Sequence, residues 1–264
     1  GLIPTIERKE LKVRIDKIVK FIENSLDLDE IIKIAQEAEP LPKSWLIEEK
    51  KKKKEKIKIG VAYDEAFNFY YRDALEDLQN FGGEIEFFSC IKDELPRDIK
   101  GLYLGGGFPE ALAGDLEKNE KIKKDIKKAI EDGLPTIAEC GGLMYLTKSI
   151  KDFESKSYSM VGIIDGYTLM TRRLTLNYTL AEVIKDNVLN LKASRIRGHE
   201  FHYSTIEGVK EEFAYSLIRG KGILEGKDGI IMHNLIASYM HIHLSCNRSM
   251  IKRFLKNCKI YSRK

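Results

Sequence analysis

Cys140 stands in the run Ala138-Glu139-Cys140-Gly141-Gly142, where the strand-like PTIAE meets the helix-like LMYLTKSI. A nucleophile at a tight strand-to-helix turn needs small neighbours two positions to either side, because the backbone there is cramped. Ala138 and Gly142 meet that need. A free thiol, with a pKa of about 8.5, is only a few per cent thiolate at neutral pH. The spacing therefore predicts help from the helix start, whose N–H groups favour a thiolate and can hold an oxyanion. Cys90, Cys246 and Cys258 lack the flanking glycines and read as inert thiols. The four cysteines form no C-x-x-C pair, which argues against structural zinc and against a disulfide framework.

Three further groups complete the chemistry. Gly105, Gly106 and Gly107, followed by Phe108-Pro109-Glu110, come directly after the apolar run GLYL. Glycines at the carboxyl end of a parallel strand let backbone approach a ligand and offer it N–H groups. No Lys-Ser or Lys-Thr follows, so the run is not a nucleotide-binding P-loop. An oxyanion hole beside Cys140 is the preferred reading, with a plain tight turn as the alternative. In LIASYMHIHL (235–244), read as one strand, His241 and His243 face the same side, and either can serve as the base for Cys140. The pair lacks a third ligand, so no metal site is expected. In RGHEFHYS (197–204), also read as a strand, His199, Phe201 and Tyr203 face one side and Glu200, His202 and Ser204 the other. Glu200 and His202 can contact a polar substrate or form a buried pair that supports the fold.

The elements that must position these residues are legible from periodicity. Leu11, Ile15, Ile18, Val19 and Ile22 mark an amphipathic helix over 7–23, and a short helix follows near 28–38. Pro40 and Pro42 end it. Residues 48–58 hold seven Lys and three Glu, which equals the whole net charge of +4, so the rest of the chain is neutral. A nucleic-acid binder would carry that charge on a folded, aromatic-interleaved face, so no such partner is expected. We read residues 1–39 as a helical piece, 40–56 as a Lys-rich linker and 57–264 as the main domain.

From residue 57, strands at 57–63, 84–89, 101–106 and 135–139 alternate with helices at 71–81 and 119–132 and with one after Cys140. This is a βαβ series, which implies a mostly parallel sheet covered on both faces. Strand-like pieces follow at 160–170, 177–184, 195–204, 214–220 and 235–244, and a last helix at 247–257. No apolar run approaches the roughly 20 residues that span a bilayer, and the first residues lack an apolar signal core. The expectation is a cytoplasmic protein with no membrane partner.

Taken together and in order, AFNFYYRDALEDL (66–78), GLYLGGGFPE, AECGGLMYL (138–146), YSMVGIID (158–165), RGHEFHYS and ASYMHIHL (237–244) resemble the glutamine amidotransferase part of the cobyrinic acid a,c-diamide synthases. GLIPTIE and the helices after it look like the end of that family's nucleotide-binding synthetase domain. The nickel-sirohydrochlorin a,c-diamide synthases look similar. The resemblance implies a class I glutamine amidotransferase fold, flavodoxin-like, with a Cys-His dyad. Cys140 would attack the side-chain amide of L-glutamine to give a glutamyl thioester and ammonia. His241, by its place in Tyr-x-His, would be the base and His243 an understudy. Backbone N–H groups around Gly106, Gly107 and Gly141 would hold glutamine and its oxyanion.

The whole enzyme would use ATP and Mg²⁺ to activate the a- and c-acetates of a tetrapyrrole, bound against the synthetase domain, and amidate them with that ammonia. Arg72-Asp73-Ala74 and Leu176-Asn177-Tyr178 depart from the usual family residues, and no G-x-x-x-x-G-K-[ST] occurs, so ATP is not expected to bind this chain. Two other readings of the same residues are a different cysteine hydrolase on this sheet, and a non-catalytic domain that docks through the helix at 7–23.

Overall fold

The computed structural model describes residues 11–40 and 56–262. The chain divides into two units, Gly1–Lys52 and Lys53–Lys264. Residues 7–10 of the first expected helix, the segment GLIPTIE and residues 41–55 of the expected linker lie outside the described residues.

In the first unit, α1 (Leu11–Ser25) and α2 (Leu28–Glu37) follow the expected periodicity. Asp27 caps α2: its carboxylate accepts the Glu30 N–H at 3.0 Å, and Asp29 and Glu30 place negative charge at the first turn. Ile15, Ile18, Val19 and Ile22 are exposed.

The second unit carries the sheet. Its elements are β1 (Ile57–Ala62), β2 (Phe67–Phe69), α3 (Arg72–Asn80), β3 (Gly83–Phe88), β4 (Gly101–Leu104), β5 (Gly106–Gly107), α4 (Ala113–Lys118), α5 (Glu120–Glu131), β6 (Thr136–Glu139), α6 (Gly141–Leu146), β7 (Ser149–Lys151), β8 (Ser157–Ser159), β9 (Tyr167–Val183), β10 (Arg195–Glu207), β11 (Glu212–Arg219), β12 (Lys227–Met232), β13 (Leu235–Ser238) and α7 (Arg248–Tyr261). Five strands run parallel in the order β3-β1-β4-β6-β13. Beyond β13 the sheet continues through β12, β11 and β9 in antiparallel pairs, and β10 pairs β9 along its length.

Both faces of the parallel part are buried, as continuous apolar runs require. Leu102, Leu104 and Ala138 join a core with Ile122, Ile126 and Ile130 of α5 and Leu143 of α6. Ile59, Val61, Tyr103 and Ile137 face the other core, with Leu75 and Leu78 of α3 and Ile251 and Phe254 of α7. The three α5 isoleucines recur every four residues and are fully buried, which contributes roughly 2 kcal/mol each.

Two expected strands are corrected. Residues 160–166 are not a strand: the N–H groups of Val161 to Ile164 bond to carbonyls of Tyr145, Leu146 and Thr147 and wrap the end of α6, so β9 starts only at Tyr167. The run 235–244 is a strand only to Ser238. The buried carboxylate of Asp228 accepts the next two N–H groups, Tyr239 and Met240, both at 3.0 Å, and so removes them from the ladder. Among the described residues no helix is long and apolar enough to cross a membrane.

Candidate active site

Cys140 follows β6 with φ 47° and ψ −98°, a left-handed backbone that a side chain other than glycine rarely adopts. The strain is held from both sides. Cys140 N–H donates to Ser238 O at 2.7 Å and Gly142 N–H donates to Gly105 O at 3.0 Å. A Cβ on Gly142 would overlap that same stretch of backbone at Leu104, so the turn admits only glycine there.

The thiol is 5% exposed, and Sγ lies 3.6 Å from Phe201 O. Burial pushes its pKa well up, the Glu110 charge adds to this, and the Gly141 N–H works against it. The expectation of a stabilised resting thiolate is thereby corrected: desolvation outweighs the helix start, and the unliganded chain holds a neutral thiol. Burial also raises the thiols of Cys90 and Cys258, while Cys246 is exposed.

The glycine run sits where oxyanion donors are expected. β5 pairs with β2, so Gly106 and Gly107 lie against Phe69 and Phe67. A Cβ at Gly106 would stand 2.5 Å from Cε1 of His241, one at Gly107 would overlap Ala66 O, and one at Gly141 would come within 3.0 Å of Gly107 N. Gly106, Gly107, Gly141 and the His241 ring therefore converge on one spot beside Cys140.

His241 and His243 do not share a face, because the strand has already ended. The His241 ring is 4% exposed, stacks on His199 at 4.8 Å with 10° between planes, and meets the edge of Phe69 at 4.9 Å. Its N–H donates to His199 O at 2.8 Å, and His199 N–H returns a bond to His241 O at 3.2 Å. Burial, then the neighbouring His199 and His202, bring its pKa down to about 3, so the ring is neutral and Nδ1 has no hydrogen-bond partner. His243 turns away: Nε2 lies 3.2 Å from Asp73 and its ring packs on Tyr71 at 4.2 Å.

Glu200 and His202 share a buried face of β10, as their alternation predicts. Glu200 is fully buried and accepts from Asn177, Lys221 N–H and Gly222 N–H at 2.6–3.0 Å. Burial alone would raise its pKa; His202 nearby and these donors bring it down to about 2. His202 stacks on Tyr239 at 3.7 Å, and its Nδ1 is 2.8 Å from Ser204 O. The pair braces β10 beneath the site.

Sequence reasoning missed two carboxylates. Glu139 accepts Ile242 N–H at 2.9 Å and Tyr103 O–H at 2.7 Å. Asp228 accepts the two N–H groups before His241. Burial raises the first to about 7 and the second to about 6. An acidic residue inside the apolar strand PTIAE was the available signal for Glu139. Among the described residues no group of three His, Cys, Asp or Glu can hold a metal ion.

A parallel sheet with a strained cysteine turn and a glycine loop beside a buried histidine defines a glutamine-amidotransferase type of fold. Solved structures agree at the level of the fold: a PurLQS structure from Thermotoga maritima matches with TM-score 0.58 and 19% identity over 78% of this chain and 99% of that one. A structure described as a glutamine amidotransferase matches with TM-score 0.56 and 18% identity over 76% and 98%.

Residues 58–249 match the CobB/CobQ-like glutamine amidotransferase domain, and the chain belongs to that family. A curated relative from Caldanaerobacter subterraneus subsp. tengcongensis, named cobyrinate a,c-diamide synthase, is 43% identical over all of this chain and 58% of its own length. One of the same name from Methanobrevibacter smithii is 40% identical over 93% of this chain and 54% of its own. The chain thus spans just over half the length of the curated relatives it matches.

Proposed function

We propose that this chain is the glutamine-hydrolysing part of a cobyrinate a,c-diamide synthase, with Cys140 as nucleophile and His241 as base. One observation carries the reading: Cys140 is held at positive φ in a turn bonded to the glycine loop, and the ring of His241 lies against that same loop at Gly106.

The chemistry follows from the environment. Both partners rest neutral, the thiol raised and the imidazole lowered by burial, so no ion pair has to be maintained in the empty site. When the amide carbon of L-glutamine reaches Sγ, the S–C bond forms, the thiol proton passes to His241, and the carbonyl oxygen becomes an oxyanion facing the N–H groups around Gly107 and Gly141. The imidazolium returns that proton to the departing nitrogen, which leaves as ammonia and a glutamyl thioester. Water, deprotonated by the same ring, then releases glutamate and restores the thiol.

In the whole enzyme the ammonia would amidate the a- and c-acetates of cobyrinate after activation by ATP and Mg²⁺, with the tetrapyrrole against the synthetase part. The described residues and the absence of a P-loop sequence do not fit ATP–Mg²⁺, so no step here runs through it.

Intact-mass labelling with the glutamine analogue 6-diazo-5-oxo-norleucine tests the reading. One adduct is expected, absent in Cys140→Ala and slowed in His241→Ala. An adduct that persists in Cys140→Ala would overturn it, as would peptidase or esterase turnover without any reaction with glutamine.

A further inference from the structure

The segment that carries His241 lies outside the sheet, yet none of its N–H groups is left to solvent. Tyr239 and Met240 donate to the carboxylate of Asp228, His241 donates to His199 O, and Ile242 donates to Glu139 Oε1. Glu139 stands directly before Cys140, and its backbone is already in register with Ser238, the last residue of β13. Its carboxylate therefore ties the residue before the nucleophile to the residue after the histidine.

Its second oxygen is tied as well. Tyr103 O–H donates to Oε2 at 2.7 Å, and the Tyr103 ring meets Tyr70 edge-on at 5.2 Å. Tyr70 in turn receives the N–H of Gly105 at 2.8 Å, at the start of the glycine loop. One buried chain of contacts thus links Gly105, Tyr70, Tyr103, Glu139 and Ile242, and so touches the loop, the turn and the histidine segment together.

We propose that Glu139 is a positioning residue that fixes His241 in register with Cys140 and the glycine loop. This rests on the glutaminase reading given above. A fully buried carboxylate at the end of an apolar strand costs stability unless it is satisfied. Here both oxygens are satisfied by groups belonging to the other parts of the site, and a hydrogen bond to an ionised acceptor is among the stronger kinds. Glutamine in its place keeps an acceptor for Ile242 and can still pair with Tyr103, whereas leucine keeps the volume and loses both bonds.

The test compares wild type, Glu139→Gln and Glu139→Leu in the rate of Cys140 labelling by 6-diazo-5-oxo-norleucine, resolved into binding and the covalent step. The covalent step should fall at least thirtyfold in Glu139→Leu with binding changed less than threefold, and Glu139→Gln should stay within about fivefold of wild type. Full-rate labelling in Glu139→Leu, or equal loss in both variants, overturns the proposal. In parallel, the ring-to-ring NOE between His199 and His241 should persist in Glu139→Gln and vanish in Glu139→Leu. That readout needs no activity: if wild type is not labelled, the glutaminase reading fails, while an NOE retained in Glu139→Leu overturns the positioning role. Should Glu139→Leu not fold, Tyr103→Phe, which removes only the bond to Oε2, is expected to slow the covalent step three- to tenfold, and no change overturns the proposal.

Discussion

The imidazole rings of His199 and His241 are stacked 4.8 Å apart and nearly parallel, and the two residues also exchange backbone hydrogen bonds. His199 is itself held by Tyr71, whose O–H lies 3.2 Å from its Nδ1, and by the edge of Phe69. The stack orients the His241 ring where no carboxylate contacts it. It also sets its charge, because the neighbouring imidazole works with burial to lower the His241 pKa. In His199→Phe the ring contact remains and the ionisable neighbour goes. The His241 pKa should then rise from about 3 by less than one unit, since burial is the larger cause. An NMR titration of the His241 Cε1 proton checks this, and an unchanged midpoint would refute the coupling.

Glu110 acts on the nucleophile from the other side. It begins the short helical turn Pro109–Leu112, and Pro109 packs near Gly141. After burial, its charge is the largest influence holding the Cys140 thiol up. Glu110→Gln should therefore lower the thiol pKa and increase the thiolate fraction at pH 8. Alkylation of Cys140 by iodoacetamide is expected to speed up about three- to tenfold, with Cys90 unaffected. Equal rates in wild type and variant would show that the charge does not reach the sulfur.

The parallel strands and their helices were readable because a strand buried on both faces leaves a continuous apolar run and an amphipathic helix leaves a four-residue period; Ile122, Ile126 and Ile130 are an example. The cysteine turn was readable because cramped backbone demands glycine at a fixed offset, as at Gly142. The end of β13 was not. Nothing in LIASYMHIHL marks Ser238 as the last strand residue, since the break is imposed by Asp228, ten residues earlier on β12. The neutral state of Cys140 was hidden for a related reason: sequence shows the helix start beside it but not the depth of burial. His243 followed from the same misread strand, and its partner, Asp73, lies 170 positions away in sequence.

The two buried carboxylates give a pH dependence of definite sign. Burial raises Asp228 from an ordinary 3.8 to about 6 and Glu139 from 4.5 to about 7. For such groups the folded state holds the proton more tightly than the unfolded one, so their contribution to stability is full below pH 4 and is lost as pH rises towards 6 and 7. For Asp228 this amounts to about 3 kcal/mol. Asp228→Asn removes that dependence and turns an amide N–H₂ toward the donors of Tyr239 or Met240, at a cost of roughly 2 kcal/mol. Urea unfolding at pH 4 and pH 7 should show the variant more destabilised at pH 4 than at pH 7. A constant difference would mean that Asp228 does not titrate in this range.

The glycine loop gives the sharpest separation between fold and chemistry. At Gly106 the only atoms a new methyl would crowd are the His241 ring, at 2.5 Å to Cε1 and 3.2 Å to Nδ1, and the Phe69 Cβ at 3.3 Å. Gly106 lies outside the positive-φ set, so alanine there meets no backbone penalty and its whole effect falls on the ring. Gly107, with φ 158° and Ala66 O in the way, would suffer in its backbone instead. Gly106→Ala should therefore slow labelling of Cys140 by 6-diazo-5-oxo-norleucine by about 10- to 100-fold with a loss of stability near 1 kcal/mol. Gly107→Ala should cost more than 2 kcal/mol of stability. The contrast is read by measuring the labelling rate and urea midpoint of both variants, and a Gly106→Ala protein that labels at the wild-type rate would remove His241 from the reaction.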